Sequence, residues 1–141
     1  MKKVSIIYWS CGGNIEFLAN VMADSIREEG AEVNLKQVND ATIEDVMEAD
    51  SVVFGSPAMD STRIEQEEMQ PFLKQLKDLP LDNKKCILFA TYGWIENTFM
   101  KLWEDEMKSY GFDLVGTLAV KDSPGKDDVE CIKNLGKEII K

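Results

Sequence analysis

The chain has 141 residues, of which 44% are apolar and 30% are charged, and this balance predicts one domain over residues 1–141 with a core large enough to fold unaided. Its 26 acidic and 16 basic residues give a formal charge of −10, which disfavours nucleic acid and favours basic protein partners. Because the sequence has no histidine, catalytic triads and zinc hydrolysis are disfavoured as well.

The apolar runs and the cysteines indicate the compartment. The longest apolar run, residues 86–90, is five residues long, whereas a membrane-spanning helix needs about 20. Cys11, Cys86 and Cys131 lack the spacing of a zinc site or a disulfide framework. The N-terminal segment lacks the pattern of a cleaved signal peptide. We therefore expect a cytoplasmic protein with no metal site and no membrane contact.

The first half of the chain predicts alternating strands and helices. Residues 4–9 are rich in β-branched and aromatic side chains and predict a strand that stops at residues 10–14. Apolar residues recur at helical spacing from Ile15, and Gly30 is placed to end this helix. The next predicted elements are an outer strand over 33–38, a short helix over 43–47 and a buried strand over 51–55.

The second half continues the alternation. Pro71 is predicted to open a helix, because its fixed φ and missing N–H suit a first turn, and residues 60–70 are then mostly loop. The remaining predicted elements are strands over 86–91 and 114–120 and helices over 99–107 and 129–140. This βα pattern predicts an α/β fold, a doubly wound parallel sheet with helices on both faces.

The loops after strands one, three and four are the expected ligand site, because doubly wound sheets bind ligands beyond the carboxyl ends of their strands. The first of these loops, residues 10–15, opens a helix whose free N–H groups and dipole attract an anion. It has no Lys or Arg, so a phosphate would be held by backbone amides, the Ser10 hydroxyl and the Asn14 amide. The alternative is an ordinary glycine-rich turn with Asn14 as the helix N-cap.

The other two loops each carry a large side chain suited to a planar ligand. Met59 follows strand three and Trp94 follows strand four. A heteroaromatic ring between a thioether and an indole gains burial and stacking without any charged contact. Simple packing at the rim or in the core is the alternative interpretation of both side chains.

Four short motifs occur in an order and spacing typical of one known family. They are Tyr8-Trp9-Ser10-x-x-Gly13-Asn14 before a helix, Gly55-x-x-Ala58-Met59, the Pro71-Phe72 helix start, and Thr91-Tyr92-Gly93-Trp94. Through them the whole chain resembles the short-chain flavodoxins. The resemblance implies a five-stranded sheet in the order 2-1-3-4-5, for which flavodoxin is a known example, with FMN at the switch point.

The resemblance also implies a function, namely a low-potential electron carrier that is not an enzyme and holds FMN noncovalently between redox enzymes. The phosphate would lie on the first loop and the isoalloxazine between Met59 and Trp94. Backbone at residues 59–62 would face the N5 and N3 edge of the flavin, and the Gly93 and Trp94 amides its N1 and O2 edge. The FMN-binding residues so implied are Ser10, Cys11, Gly12, Gly13, Asn14, Ile15, Pro57, Ala58, Met59, Asp60, Thr62, Thr91, Gly93 and Trp94.

The acidic charge of such a carrier has consequences for its potential and its partners. Asp60 and Glu96 lie in the implied flavin loops, and with the overall charge of −10 they should disfavour an anionic reduced flavin and lower its potential. We expect a monomer that docks transiently, through an acidic rim, to basic redox partner proteins.

The sequence departs from the family at four positions. Family members carry hydroxyl residues at the positions of Gly12 and Ile15, and some at Pro57. Each lost hydrogen bond to phosphate would cost about 1.5–3 kcal/mol, so FMN binding would weaken by orders of magnitude unless backbone amides suffice. Asp60 stands where members usually have a glycine whose peptide can flip, which predicts a less stable half-reduced flavin.

Two alternative functions stay open at this point. One is a flavin-free flavodoxin-like module that acts through protein contacts or a redox-sensitive Cys11. The other follows from the resemblance of residues 11–15 to the thiol loop of low-molecular-weight tyrosine phosphatases, although their arginine is replaced here by Phe17. The P-loop, the dinucleotide fingerprint and the acidic cluster of response-regulator receivers are all missing from the sequence.

Overall fold

The computed structural model describes residues 1–93 and 96–141. Over these ranges the chain forms a five-stranded parallel sheet in the order β2-β1-β3-β4-β5, which confirms the predicted topology. The strands are β1 (Lys3–Tyr8), β2 (Glu32–Gln37), β3 (Ser51–Pro57), β4 (Lys85–Tyr92) and β5 (Asp113–Lys121). The helices are α1 (Asn14–Glu28), α2 (Ile43–Met47), α3 (Met69–Lys74), α4 (Thr98–Tyr110) and α5 (Lys126–Ile139), with a 3-10 turn at Val38–Asp40.

The central strands divide the core into two layers. Side chains alternate across a strand, so Phe54 and Leu88 pack in the layer of α3 and α4, while Val53 and Phe89 pack in the layer of α1 and α5. All four side chains are fully buried. None of the helices in the described ranges has the length and apolar character needed to cross a bilayer.

Gly55 lets the end of β3 approach its neighbour closely. A Cβ atom added at Gly55 would lie 2.3 Å from Cζ of the Phe89 ring, so no larger residue fits there without movement in the core. At the far end of α1, Gly30 has φ +90° and its N–H donates to the Arg27 carbonyl at 3.0 Å. This confirms the prediction that Gly30 ends the helix.

The prediction that Pro71 opens a helix is wrong by two residues. Helix α3 begins at Met69, and Pro71 lies within its first turn, where a missing N–H leaves no helical bond unmade. The start is set instead by the Glu65 carboxylate, which accepts a hydrogen bond from the Met69 N–H at 2.7 Å. The chain from residue 60 to residue 68 is loop and turn, as predicted.

Candidate functional site

Three loops meet at one edge of the sheet, which we call the carboxyl edge because it lies at the carboxyl ends of β1, β3 and β4. The strands β1 and β4 flank β3, and all three are parallel. The Trp9 N–H donates to the Gly55 carbonyl at 3.0 Å, and the Ala58 N–H donates to the Thr91 carbonyl at 2.8 Å. These bonds hold the loops after β1, β3 and β4 side by side, as the sequence predicted.

The loop after β1 is shaped by two glycines. Gly12 and Gly13 have φ values of +100° and +96°, and a Cβ atom on either would meet nothing within 4 Å. Gly13 is the N-cap of α1 and, having no side chain, makes no capping hydrogen bond itself. The alternative that assigned Asn14 as the N-cap is therefore wrong, since Asn14 is the first helical residue. The Ser10 hydroxyl accepts a hydrogen bond from the Glu16 N–H at 3.3 Å.

This loop leaves a run of backbone donors free. In the part of the chain that the structure describes, the N–H groups of residues 11–15 donate to no protein acceptor. Successive free amides at the positive end of a helix form a cradle for an anion. Cys11 and Asn14 are exposed, whereas the Ile15 side chain is buried in the core, so Ile15 offers this cradle only its N–H. A phosphate group fits these donors.

The loop after β3 begins as a tight turn over residues 58–64, which we call the Met59 turn. Ala58 and Ile64 form an isolated antiparallel bridge at its base, and the Met59 N–H donates to the Arg63 carbonyl at 2.8 Å. Met59 itself is 46% exposed, which is unusual for a large apolar side chain. The turn therefore presents an apolar surface at the carboxyl edge.

The Asp60 carboxylate closes the Met59 turn. Its Oδ1 accepts hydrogen bonds from the Thr62 and Arg63 N–H groups, both at 2.9 Å, and its Oδ2 accepts one from the Arg63 guanidinium at 2.7 Å. The Thr62 N–H bond and the Arg63 guanidinium lower the pKa of Asp60 from 3.8 to about 2. Asp60 does not adopt a positive φ in this structure, and the cost of flipping its peptide towards a half-reduced flavin stays a prediction.

Glu65 anchors the Met59 turn to the fold. Its side chain is buried, and its carboxylate accepts hydrogen bonds from the N–H groups of Glu67, Glu68 and Met69 at 2.7–2.8 Å. The Glu65 N–H donates to the Ser56 hydroxyl at 3.1 Å. The turn is thereby tied to the end of β3 on one side and to the start of α3 on the other.

Trp9 joins the first loop to the second. Its indole Nε1–H donates to Glu68 Oε1 at 3.1 Å. A cleft of about 360 Å³ opens beside this contact, lined by Trp9, Met59, Arg63, Glu65, Gln66 and Glu67. No role was predicted from the sequence for Arg63, Glu65 or Glu68. The spacing Asp60-x-x-Arg63, typical of a side-chain-closed turn, is the signal that went unused.

The remaining candidates lie at or near the third loop. Pro57 and Thr91 are paired on β3 and β4, and both are partly buried. Thr62 is exposed, and Gly93 follows β4 with open space where a Cβ would lie. Trp94 lies outside the described residues, so the expectation that it faces Met59 stays a prediction.

The fold and the cradle together define a class of protein, the doubly wound α/β proteins that bind a mononucleotide at the switch in strand order. A sequence model of the family described as flavodoxin matches residues 6–134. The flavodoxin of Clostridium beijerinckii is 34% identical over 137 residues, which cover 96% of this chain and 98% of its own. That of Megasphaera elsdenii is 33% identical over 138 residues, covering 98% of each chain.

Solved structures agree with these relatives. The solution structure of two-electron reduced Megasphaera elsdenii flavodoxin matches with a TM-score of 0.84 at 32% identity, covering 96% of this chain and 97% of that one. A short-chain flavodoxin associated with a bacterial microcompartment matches with a TM-score of 0.89 at 21% identity, which supports the fold alone.

The chain belongs to the flavodoxin family. It is an FMN-binding electron carrier and not an enzyme, as the sequence predicted. The flavin-free and phosphatase alternatives accordingly fall away. In the phosphatase comparison the position of the missing arginine is held by Phe17, an apolar side chain that is 47% exposed.

Proposed function

We propose that residues 1–141 act as one flavodoxin-like domain that holds FMN across the carboxyl edge and carries electrons at low potential between cytoplasmic redox enzymes. The FMN phosphate lies in the cradle of residues 11–15, and the isoalloxazine lies against the Met59 turn. The free N–H groups of that cradle, beside the exposed Met59, are the observation that carries this proposal.

The cradle holds the phosphate through backbone amides. The loop of residues 10–15 contains no Lys or Arg, so the positive end of α1 and its free N–H groups supply the attraction. The Ser10 hydroxyl, which already accepts a bond from Glu16, still has its own O–H to donate. The hydroxyls that other members carry at positions 12 and 15 are then not required for binding.

The Met59 turn shields one part of the ring system. Bound FMN supplies the electron-accepting chemistry, and the protein contributes orientation, shielding from water and the local charge. The exposed Met59 thioether offers soft apolar surface to a planar ring. The Trp9–Glu68 hydrogen bond holds the neighbouring loop in place.

A titration of the apo-protein tests the placement of FMN. Quenching of flavin fluorescence is followed with FMN and with riboflavin, which lacks the phosphate. We expect FMN to bind at least about 100-fold more tightly, because the loss of even two charge-assisted hydrogen bonds to the phosphate costs about 3 kcal/mol or more. Equal affinities would show that the cradle does not hold phosphate, and no binding of either flavin at micromolar concentration would refute the site.

The proposed partners are basic redox proteins that dock at the carboxyl edge. The formal charge is −10, and exposed acids such as Glu67 and Glu96 lie in the loops around the proposed flavin position. A field of this sign speeds encounter with a positively charged partner and is screened by salt.

Electron transfer from the reduced protein to a basic haem protein such as cytochrome c tests this docking surface. We expect the rate to fall with ionic strength, and the double variant Glu67→Gln/Glu96→Gln to be about two- to fivefold slower at low salt. The control is Glu28→Gln/Glu29→Gln, which removes equal charge from exposed positions at the far end of α1. If both pairs slow the reaction equally, docking at the carboxyl edge is wrong.

A further inference from the structure

Arg63 is the basic residue of the Met59 turn, and both its backbone and its side chain donate to the Asp60 carboxylate. Its Nε donates to Asp60 Oδ2 at 2.7 Å while its own N–H donates to Asp60 Oδ1 at 2.9 Å. The side chain lines the cleft that also contains Met59. On its other side it borders a second cleft, of about 250 Å³, against Phe99 and Leu102 of α4.

We propose that Asp60 and Arg63 form a positioning pair that fixes which backbone groups, and what net charge, the Met59 turn presents to bound flavin. This inference rests on the proposed function, because it takes the Met59 turn as the part of the protein that faces the isoalloxazine. From the sequence, Asp60 was expected to act on the flavin as an unpaired negative charge.

Several backbone N–H groups of the Met59 turn donate within the turn itself. The Met59 N–H donates to the Arg63 carbonyl, and the Thr62 and Arg63 N–H groups donate to the Asp60 carboxylate. Among the described hydrogen bonds of this turn, Ser61 is a residue whose N–H has no protein acceptor. Within the turn the pair thus occupies the Thr62 and Arg63 N–H groups, and the Ser61 N–H is among the donors left for a ligand.

Arg63 also changes the net charge that the Met59 turn presents to bound flavin. A lone carboxylate beside a flavin would oppose the negative charge gained on reduction and lower its potential. Arg63 stands within hydrogen-bonding distance of the same carboxylate, so the turn as a whole presents a neutral pair. The effect of Asp60 on the potential is then largely cancelled, and the low potential must come from the wider acidic surface.

The two roles predict opposite effects for the two single substitutions. Arg63→Gln keeps hydrogen-bonding capacity but exposes the charge of Asp60, so reduced FMN should bind about tenfold more weakly relative to oxidised FMN. For the two-electron reduction of oxidised to fully reduced FMN, a tenfold change is about 30 mV, toward lower potential. Asp60→Asn leaves Arg63 uncompensated and should raise the potential, and the double variant should return toward the unsubstituted protein.

The chain offers a matched control pair. Arg27 and Asp24 on α1 have the same three-residue spacing and an ion pair of 3.4 Å, at the end of the helix remote from the carboxyl edge. Arg27→Gln and Asp24→Asn change the net charge by the same amounts. We expect the potentials of these variants to stay at the unsubstituted value within error, while Arg63→Lys, which keeps the charge, stays close to it.

The measurement is the midpoint potential of the FMN-loaded protein, with the Kd for oxidised FMN determined on the same samples. The proposal is supported if Arg63→Gln and Asp60→Asn shift the midpoint potential in opposite directions, each by more than its control substitution. Shifts of the same sign, or shifts no larger than those of the controls, overturn it. If Asp60→Asn does not fold, Arg63→Gln against Arg63→Lys decides alone.

Failure of this inference differs from failure of the proposed function. If the unsubstituted protein binds FMN and riboflavin equally or not at all, the placement of FMN is wrong. If FMN binds tightly through its phosphate but the midpoint potential does not change on substitution of Asp60 or Arg63, only the proposed role of this pair is wrong.

Discussion

The loops after β1 and β3 lie side by side at the carboxyl edge, yet they are built in opposite ways. The first uses Gly12 and Gly13 at positive φ and leaves its amides free. The second closes its amides onto the Asp60 and Glu65 carboxylates. The loop after β1 thus has free donors for a ligand anion, whereas the donors of the loop after β3 are already bonded to carboxylates of the chain.

This difference separates two requirements of a flavin site. Holding a phosphate needs unpaired donors, which remain hydrated until the ligand arrives. In the second loop of this chain, the ring surface is presented by a backbone whose donors are largely satisfied within the turn. Glycine supplies the unusual backbone angles of the first loop, and carboxylates supply the rigidity of the second.

Glu65→Ala removes the acceptor that anchors the loop after β3 and should have the largest effect on stability. Three backbone donors next to α3 would lose a buried acceptor, so the free energy of unfolding should fall by about 2–4 kcal/mol. Urea denaturation of the apo-protein measures this. Glu67→Ala removes an exposed side chain two residues away and should stay within about 0.5 kcal/mol, and a similar loss for both variants would contradict the anchoring role of Glu65.

Gly13→Ala changes the backbone of the loop after β1, which leaves its amides free. The φ of +96° is unfavourable for alanine, so we expect a loss of about 1–2 kcal/mol of stability, with FMN binding weakened more than riboflavin binding. Gly125→Ala is the matched control, because Gly125 is also a helix N-cap but has φ −102°. The difference between the two unfolding free energies measures the backbone cost, and no difference would rule it out.

Met59→Ala should affect the ligand and not the fold. About half of the side chain is already exposed, so the stability of the apo-protein should hardly change. Burial of the exposed half by flavin is worth about 1 kcal/mol, which is roughly a fivefold loss of affinity for FMN and riboflavin alike. Leu102→Ala on α4, also at 46% exposure, should leave both affinities unchanged. Fluorescence titration separates these outcomes.

The smallest expected effect is on the acid side of the pH profile. The pKa of Asp60 is lowered from 3.8 to about 2 in the folded protein by the Thr62 N–H and Arg63. Its stabilising contribution is therefore complete above the unfolded pKa and is lost as the pH falls through about 2. An NMR titration of the Asp60 carboxyl carbon measures this pKa, and Arg63→Gln should move it upward. A midpoint near 3.8 in the folded protein would contradict the closed turn.

Much of the fold followed from local sequence pattern. The β-rich runs that became β1, β3 and β4 and the helical spacing after Ile15 are signals within single segments. The strand order was inferred from resemblance and is confirmed. The start of α3 was misplaced at Pro71, because the acceptor that fixes it, Glu65, acts through a side chain that propensity does not register.

The candidate site was predicted in outline. Loop placement followed from parallel strands ending at one edge, and the glycines after β1 were recognised as unusual. Ile15 was named among the FMN-binding residues, but its side chain packs into the core. The helical spacing that begins at Ile15 already favoured an inward side chain, whereas the resemblance that named Ile15 concerns only its position in the loop.

The sequence by itself determined the alternation of strands and helices, the glycine-built loop and the acidic charge, because each depends on residues close together in the chain or on composition. Only the tertiary structure decided that Arg63 neutralises Asp60, that Glu65 fixes the start of α3, and that Trp9 contacts Glu68 across two loops. The physical reason is that sequence spacing does not fix the direction of a side chain. Trp9 and Glu68 meet only once β1 and β3 lie next to each other in the sheet, and the Asp60 and Glu65 contacts form only once the chain after β3 has turned.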